Sequence, residues 1–233
     1  MARPHPAPQA TPLSAWSRSG AKRFFDVALV VASLPIVAPA CLLIAIAIRI
    51  SSRGPVFFVQ RRVGLHGAPF SIVKFRTMTH RARGHKICIT TIRDDQITSV
   101  GRVLRALKLD ELPQFFNVLR GEMSLVGPRP RVPKQPLGRI DCRPGITGAA
   151  SLAFAREEML LAGIPAHQLP QYYASRVIPL KQRLDEAYML RATLVSDLNL
   201  LFLTVFKVWL APSLRQSVEK HGAVGALPEE GCD

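Results

Sequence analysis

Ser33-Leu34-Pro35-Ile36-Val37-Ala38-Pro39-Ala40 lies inside a run, Val27 to Ile48, that carries no charged side chain. At ~1.5 Å per residue the run can match a ~30 Å hydrocarbon layer. How its two prolines are read decides the fold. Each removes a backbone donor and disfavours a straight helix. Both flanks are basic: Arg18, Lys22 and Arg23 before, Arg49 and Arg53 after. Lys and Arg mark the cytoplasmic side of a membrane segment, so a run positive at both ends favours both ends on that side. The pattern predicts a helix broken near Pro39 that enters the bilayer and returns, its freed carbonyls finding partners at the break. Two other readings stay open. One is a plain crossing. The other is a secretory signal, because Ala38-Pro39-Ala40 before Cys41 imitates a cleavage site, although apolar residues continue to Ile48.

Outward from this run the chain is basic and sparsely acidic. The 233 residues carry a formal net charge of +15, which calls for an anionic partner. Arg49 to Arg93 holds ten Lys/Arg and no Asp or Glu. Because this bias begins where the apolar run ends, it predicts docking on anionic lipid, at roughly 1 kcal/mol per basic residue near the surface. Within it, Val56-Phe57-Phe58-Val59 and Phe70-Ser71-Ile72-Val73 flank Gly64, Gly67 and Pro69, the pattern of a β-hairpin. Residues 1–17, rich in Pro and Ala, cannot bury enough apolar surface to order themselves. Cys41, Cys88, Cys142 and Cys232 form no CxxC pair, which argues against a zinc or disulfide framework and for reduced thiols.

The chemistry concentrates further on. Ser99 can cap a helix through Lys108, with Arg102, Arg105 and Lys108 recurring every three residues. A second helix, from about Glu111 to Arg120, has Asp110 at its N-cap, Pro113 in its first turn and Gly121 as its stop. The adjacent acids Asp110 and Glu111 thus follow a basic helix and precede an arginine held between prolines, in Gly127-Pro128-Arg129-Pro130. Acids and fixed cations so placed suit a diphosphate that must be held and attacked; plain N-capping by Asp110 is the ordinary alternative. Residues 127–148, including Pro144-Gly145-Ile146-Thr147-Gly148, read as loops whose backbone can approach a ligand. Breaks are expected near Pro165, Pro170 and Pro179. Leu194, Val195, Leu198, Leu201, Phe202, Val205 and Trp209 then recur at helical spacing, either as core or as an interfacial helix.

These pieces resemble the bacterial sugar transferase family, the monotopic polyprenyl-phosphate phosphoglycosyl transferases. The resemblance runs from about Lys22 to Trp209. It rests on Lys22-Arg23-Phe24-Phe25-Asp26, the apolar run with Pro39, Lys74-Phe75-Arg76-Thr77-Met78, Leu109-Asp110-Glu111-Leu112-Pro113-Gln114, Phe116-Asn117-Val118-Leu119, Gly121-Glu122-Met123-Ser124, Gly127-Pro128-Arg129-Pro130 and Arg143-Pro144-Gly145-Ile146-Thr147-Gly148. Their order and spacing make it specific.

What the resemblance implies is an α+β, mostly helical fold: a re-entrant membrane helix hairpin, a small β-hairpin and interfacial amphipathic helices around a compact catalytic core. The segments would be a tail at 1–17, the re-entrant helix at 18–53, a catalytic domain at 54–211 and a mobile tail at 212–233. It implies transfer of sugar-1-phosphate from a UDP-sugar to undecaprenyl phosphate, with release of UMP and a need for Mg²⁺, on the cytoplasmic face of the bacterial inner membrane. This would be the first membrane step of exopolysaccharide, O-antigen or glycoconjugate synthesis. Asp110 would be the nucleophile and Glu111 its partner, both close to the metal. Lys74, Arg105 and Arg129 would contact phosphate, and Pro128, Pro130, Arg143, Gly145 and Thr147 would belong to substrate loops. Anionic lipids and downstream glycosyltransferases are the further expected partners, and nucleic acid is not. The sequence departs from the family at Ala38, where serine usually precedes the breaking proline. It departs again at Ala149 to Glu158, a region placed to set sugar or nucleotide specificity. The rival reading is a basic, non-enzymatic membrane adaptor or scaffold.

Overall fold

The computed structural model describes residues 13–79, 96–133, 140–155, 157, 161, 164–165 and 167–209, the last with side chains through Phe206. Of the tail expected at 1–17, residues 1–12 lie outside the described residues, as do the tail at 212–233, the basic residues Arg81, Arg83, Lys86 and Arg93, Glu158 and the Trp209 side chain. Residues 13–17 are ordered, because Leu13 and Trp16 pack against the core. A short helix α1 (Ala15–Arg18) leads into α2 (Gly20–Ser51). The sequence places Ser19 to begin α2, and its side chain accepts from the Lys22 N–H at 3.0 Å. Helical hydrogen bonding runs through both Pro35 and Pro39, so the expected break does not divide the element. Each proline forfeits one donor but leaves the remaining ladder intact.

Among the described residues one helix, α2, is long and apolar enough to cross a membrane, with a mean hydropathy of 2.6 in its most apolar window. Its middle is largely exposed, including Val31, Ile36, Leu42 and Leu43. Its ends are not. Val30 is buried in the main core with Ile72, Val118 and Met123, and Arg23 donates to the Leu119 carbonyl at 2.9 Å. Near the other end Ile48 packs with Phe75 and Leu104, and Arg76 donates to the Ser52 carbonyl at 2.8 Å.

The hairpin forms where the sequence puts it. Strands β1 (Phe57–Val63) and β2 (Pro69–Phe75) pair antiparallel, with Phe58 opposite Lys74 and Gln60 opposite Ile72. Helix α3 spans Ser99–Ala106, and Thr98, not Ser99, is its N-cap, accepting from the Gly101 N–H at 2.9 Å. The helix stops two residues before Lys108, which takes a left-handed conformation (φ 56°). A 3₁₀ segment, Leu109–Gln114, follows and runs into α4 (Phe115–Arg120), closed by Gly121 at φ 84°. Asp110 therefore lies within the first turn of a 3₁₀ segment, not at an α-helical N-cap. The cause is Pro113, which lacks the N–H that an α-helix from Leu109 would have bonded back. Asn117 ties α4 to the hairpin, donating to the Ser71 carbonyl at 2.8 Å and accepting from the Val73 N–H at 3.3 Å.

A second sheet has one strand just before the Gly/Pro-rich region and one inside it, where 127–148 reads as loops. Strands β3 (Ser124–Val126) and β4 (Gly145–Thr147) run parallel. Gly127 and Gly145 make this possible: a Cβ on Gly145 would sit 2.1 Å from the Gly127 nitrogen. Short buried strands built around glycine carry no alternation for a sequence reading to find. After α5 (Ala149–Ala153) come α6 (Leu169–Tyr172), a π-helical turn (Tyr173–Val177) and α7 (Ile178–Arg191), running on from one another. The chain is non-helical at Ile164 and Pro165 and α6 starts only at Leu169, so the breaks expected near Pro165 and Pro170 are present, whereas the one expected near Pro179 is absent, the π-helical turn running straight into α7.

Helix α8 (Leu194–Trp209) turns Asp197, Leu200, Leu201 and Thr204 toward the body. Val195, Leu198, Phe202 and Val205 face outward, Val195 being 74% exposed. The apolar stripe read from the sequence is thus mostly exposed, with Leu201 alone of its described members packed against the core. Beneath α8 lies a buried polar network: Lys22 bonds Asp197 at 2.5 Å, and Trp16 and Tyr188 donate to the same carboxylate at 2.8 and 2.7 Å. Asp26 accepts from the Ser124 hydroxyl at 2.7 Å and from the Leu125 N–H at 3.2 Å. Lys22 is 4% and Asp197 0% exposed, so removing one partner strands a buried charge at about 3–5 kcal/mol. Asp197→Ala is expected to lose most of its cooperative unfolding signal in detergent. An unfolding curve like that of the wild type would show the network to be dispensable.

Candidate active site

Lys74 comes from the end of β2 and meets the 3₁₀ segment after α3. Its ammonium bonds Glu111 Oε1 at 2.5 Å. The Arg129 guanidinium reaches the same oxygen at 3.5 Å. The hairpin, the 3₁₀ segment and the loop after β3 therefore converge on one carboxylate. Burial alone would raise the Glu111 carboxyl, but Lys74, then Arg129 and Lys108, outweigh it and hold Glu111 well below the usual range. Asp110 moves the other way. Burial and the adjacent Glu111 push its carboxyl up, against opposition from Lys74, Lys108 and Arg105. Two neighbouring acids thus differ in character because the cations pair with one of them.

A small, solvent-open cleft is lined by Arg62, Lys74, Glu111, Gln114, Arg129 and Pro130, with Ile72, Gly145 and Ile146 beside them. Arg105 acts on Asp110 electrostatically but, like Asp110, does not line this cleft. Pro128 is buried, its carbonyl accepting from the Gly145 N–H at 2.9 Å. Gly145 and Pro130 border the cleft. Arg143 instead donates to the Gly121 carbonyl at 2.9 Å, and Thr147 shares a 2.7 Å hydrogen bond with Thr204. Those two hold α4 and α8 in place. Pro39, in the middle of α2, is no part of this cluster.

Two contributors were missed. Arg62 was one of many in a basic run, yet its guanidinium lines the cleft, oriented by Gln60 Oε1 at 2.5 and 3.1 Å. Burial, then the nearby Arg129, bring it down to about 10, so it remains charged at neutral pH. Nothing in the sequence set it apart from the other basic residues of the run. Asp185 on α7 accepts the backbone N–H of Arg129, and burial pushes its carboxyl up to about 7. Nothing local in the sequence joins positions 129 and 185.

Among the described residues no group of three or more His, Cys, Asp or Glu side chains could hold a metal. Asp110 and Glu111 supply hard carboxylate oxygens, a set that suits Mg²⁺ when substrate phosphates and water complete its shell. The donor set fits a metal carried in with a phosphorylated substrate, not a protein-only cage.

The bacterial sugar transferase family matches residues 17–211. The chain is 46% identical over 142 residues to a UDP-glucose:undecaprenyl-phosphate glucose-1-phosphate transferase of Caulobacter vibrioides, covering 56% of this chain and 53% of that protein. It is 46% identical over 109 residues to a UDP-N-acetylgalactosamine-undecaprenyl-phosphate N-acetylgalactosaminephosphotransferase of Aeromonas hydrophila, covering 47% of this chain and 26% of that one. With the exopolysaccharide production protein ExoY of Rhizobium meliloti it shares 34% identity over 215 residues, 82% of this chain and 86% of ExoY. The chain thus spans about half or less of the length of the first two relatives. With a match that covers the long apolar helix, the hairpin, the acid pair and Arg129, the chain belongs to the bacterial sugar transferase family.

Proposed function

We propose that the protein transfers sugar-1-phosphate from a UDP-sugar to undecaprenyl phosphate at the membrane surface. The observation that carries this reading is the Asp110-Glu111 pair among cations from three separate elements: Lys74 on β2, Arg105 on α3 and Arg129 after β3. An Asp110 carboxylate oxygen attacks the phosphorus that bears the sugar. A P–O bond to Asp110 forms as the bond to the nucleotide phosphate breaks, and UMP departs with the electron pair. An oxygen of undecaprenyl phosphate then attacks the same phosphorus and releases the Asp110 carboxylate. Dividing the transfer lets the soluble product leave before the lipid phosphate arrives.

Lys74, Arg62 and Arg129 are placed to meet the charge that develops on the phosphoryl oxygens and the leaving phosphate. Glu111 fixes Lys74 and Arg129 relative to Asp110. Asp110 and Glu111 are the residues that would hold Mg²⁺, which when bound offsets phosphate charge as a Lewis acid.

Several features support a re-entrant seat for α2. A straight helix would put ~27 Å between Val30 and Ile48. Yet Val30 packs in the cluster that holds Ile72, and Ile48 in the one that holds Phe75. Ile72 and Phe75 are three residues, ~10 Å, apart on one strand. A bend at Pro35 and Pro39 would let both ends rest on the catalytic body while the exposed apolar middle dips into lipid. The outward face of α8 would lie in the same interface, with the body on the cytoplasmic side of the inner membrane. The product would pass to glycosyltransferases that build on a lipid-linked sugar.

The test is UMP release from a panel of UDP-sugars, using protein in lipid nanodiscs with undecaprenyl phosphate and Mg²⁺. Release that depends on the lipid phosphate for repeated turnover is expected. No release with any donor would favour the basic adaptor.

A further inference from the structure

Arg129 also faces side chains that phosphoryl transfer by itself does not require. One guanidinium nitrogen lies 3.5 Å from the Ser151 hydroxyl on α5. The chain after α5 carries Phe154 and Glu157. Glu157 Oε1 bonds the Lys181 ammonium at 2.5 Å, and the same ammonium donates to the Tyr173 hydroxyl at 3.1 Å. Lys181 lies 5.0 Å from the Phe154 ring centre and 5.1 Å from that of Tyr173. The helix that carries Lys181 also reaches Arg129. Asp185, one turn beyond Lys181 on α7, is the residue that accepts the Arg129 N–H. Glu157 and Tyr173 both act electrostatically on Arg129.

Two features set the cluster apart from ordinary packing. Tyr173 opens the π-helical turn Tyr173–Val177, a rare geometry that is found most often at functional sites. The ion pair is also open to solutes: side-chain exposure is 25% for Glu157 and 19% for Lys181. A surface brace would not need the π turn.

We infer that Glu157, Tyr173 and Lys181 form the subsite that receives the hydroxyl groups of the donor's sugar. The inference rests on the sugar-phosphate transfer proposed above. A carboxylate accepts, an ammonium donates and a phenol does either, which is the complement of neighbouring hydroxyls. The acid and the base cancel, so the cluster has no net attraction for another phosphate. The sugar is bonded to the phosphorus under attack and must lie beside whatever clamps that phosphate. The uridine is separated from it by a second phosphate. Glu157 also belongs to the segment in which this chain departs from the family pattern, so the subsite is specific to chains that carry such a cluster.

The test compares wild type, Glu157→Gln and Tyr173→Phe in nanodiscs with Mg²⁺ and undecaprenyl phosphate. Steady-state rates are measured with UDP-glucose, UDP-galactose and UDP-N-acetylgalactosamine, and UMP serves as product inhibitor. Each variant is expected to lose about ten-fold or more in kcat/KM with the wild type's preferred donor, because a polar site left unpaired discriminates strongly. The ratio between donors should change and the UMP inhibition constant should stay within about two-fold, as expected of a site that contacts the sugar and not the nucleotide. Equal loss with every donor, or no loss, would overturn the assignment. A parallel weakening of UMP would move the subsite to the nucleotide and overturn it too. Should Glu157→Gln fail to fold, Tyr173→Phe decides alone. Absence of UMP release from wild type with all donors would instead refute the transfer reading itself.

Discussion

Asp110→Asn is expected to abolish turnover and, at neutral pH, to raise the protein's melting temperature. The first effect follows from the loss of the attacking oxygen's charge, and a fall of about 10³-fold or more is anticipated for a nucleophile. The second follows from the direction of its pKa. Burial and Glu111 raise the Asp110 carboxyl above its ordinary value, so the folded state holds the proton more tightly than the unfolded chain. Stability therefore falls as pH rises from the unfolded pKa through the folded one, and the ionised group remains a cost above that window. Asparagine removes the cost. The gain should vanish in acid, where both side chains are neutral. Because Asp110 must be ionised to attack, the wild-type rate should also fall on acidification through a pKa above the usual aspartate value. A thermal shift of the opposite sign at neutral pH would mean that Asp110 is a structural partner of its cations, not a strained nucleophile.

Glu111→Gln should do the reverse to stability while also impairing activity. Its carboxyl is held low by Lys74, Arg129 and Lys108, despite burial that opposes this. A depressed carboxyl contributes stability above the unfolded pKa and loses it as pH falls through the folded one, so the contribution is present at neutral pH. The substitution leaves Lys74, whose side chain is 16% exposed, without its 2.5 Å partner, at about 3 kcal/mol or more. Arg129, 44% exposed, adds little because water screens it. Chemical unfolding of the two variants beside wild type checks the contrast. If both acids shift stability in the same direction, their division into a paired anchor and a free nucleophile is wrong.

The chain disclosed some of this more readily than the rest. The hairpin was legible because Val56–Val59 and Phe70–Val73 flank a Gly/Pro turn, and alternation is a local signal. Gly121 was legible as a stop for the same reason. The acid pair and Arg129 could be picked out by residue type and by resemblance, whereas their meeting at Glu111 depends on Lys74 of β2, 37 residues earlier in the chain, reaching the 3₁₀ segment. That long-range pairing leaves no local trace. The 3₁₀ form of Leu109–Gln114 could have been argued from Pro113, but a capped α-helix satisfies the same letters. The network of Lys22, Asp26 and Asp197 left no local trace, Lys22 counting only as part of a basic flank, since only the fold brings α2 under α8. Helix α8 was ambiguous for a different reason. Its apolar stripe is real, but periodicity says which residues share a face, not what that face meets.

The central claim is that Asp110 becomes covalently joined to the phosphorylated sugar. Its most direct test incubates the protein in nanodiscs with Mg²⁺ and a UDP-sugar labelled in the phosphate next to the sugar, with undecaprenyl phosphate left out. After denaturation, wild type is expected to retain label at Asp110, located by mass spectrometry of the peptide that contains Leu109 to Gln114, and to release it when undecaprenyl phosphate is added before quenching. Asp110→Asn should retain none. Label retained equally by Asp110→Asn, or UMP release by wild type that needs both substrates together and leaves no labelled protein, would contradict the account.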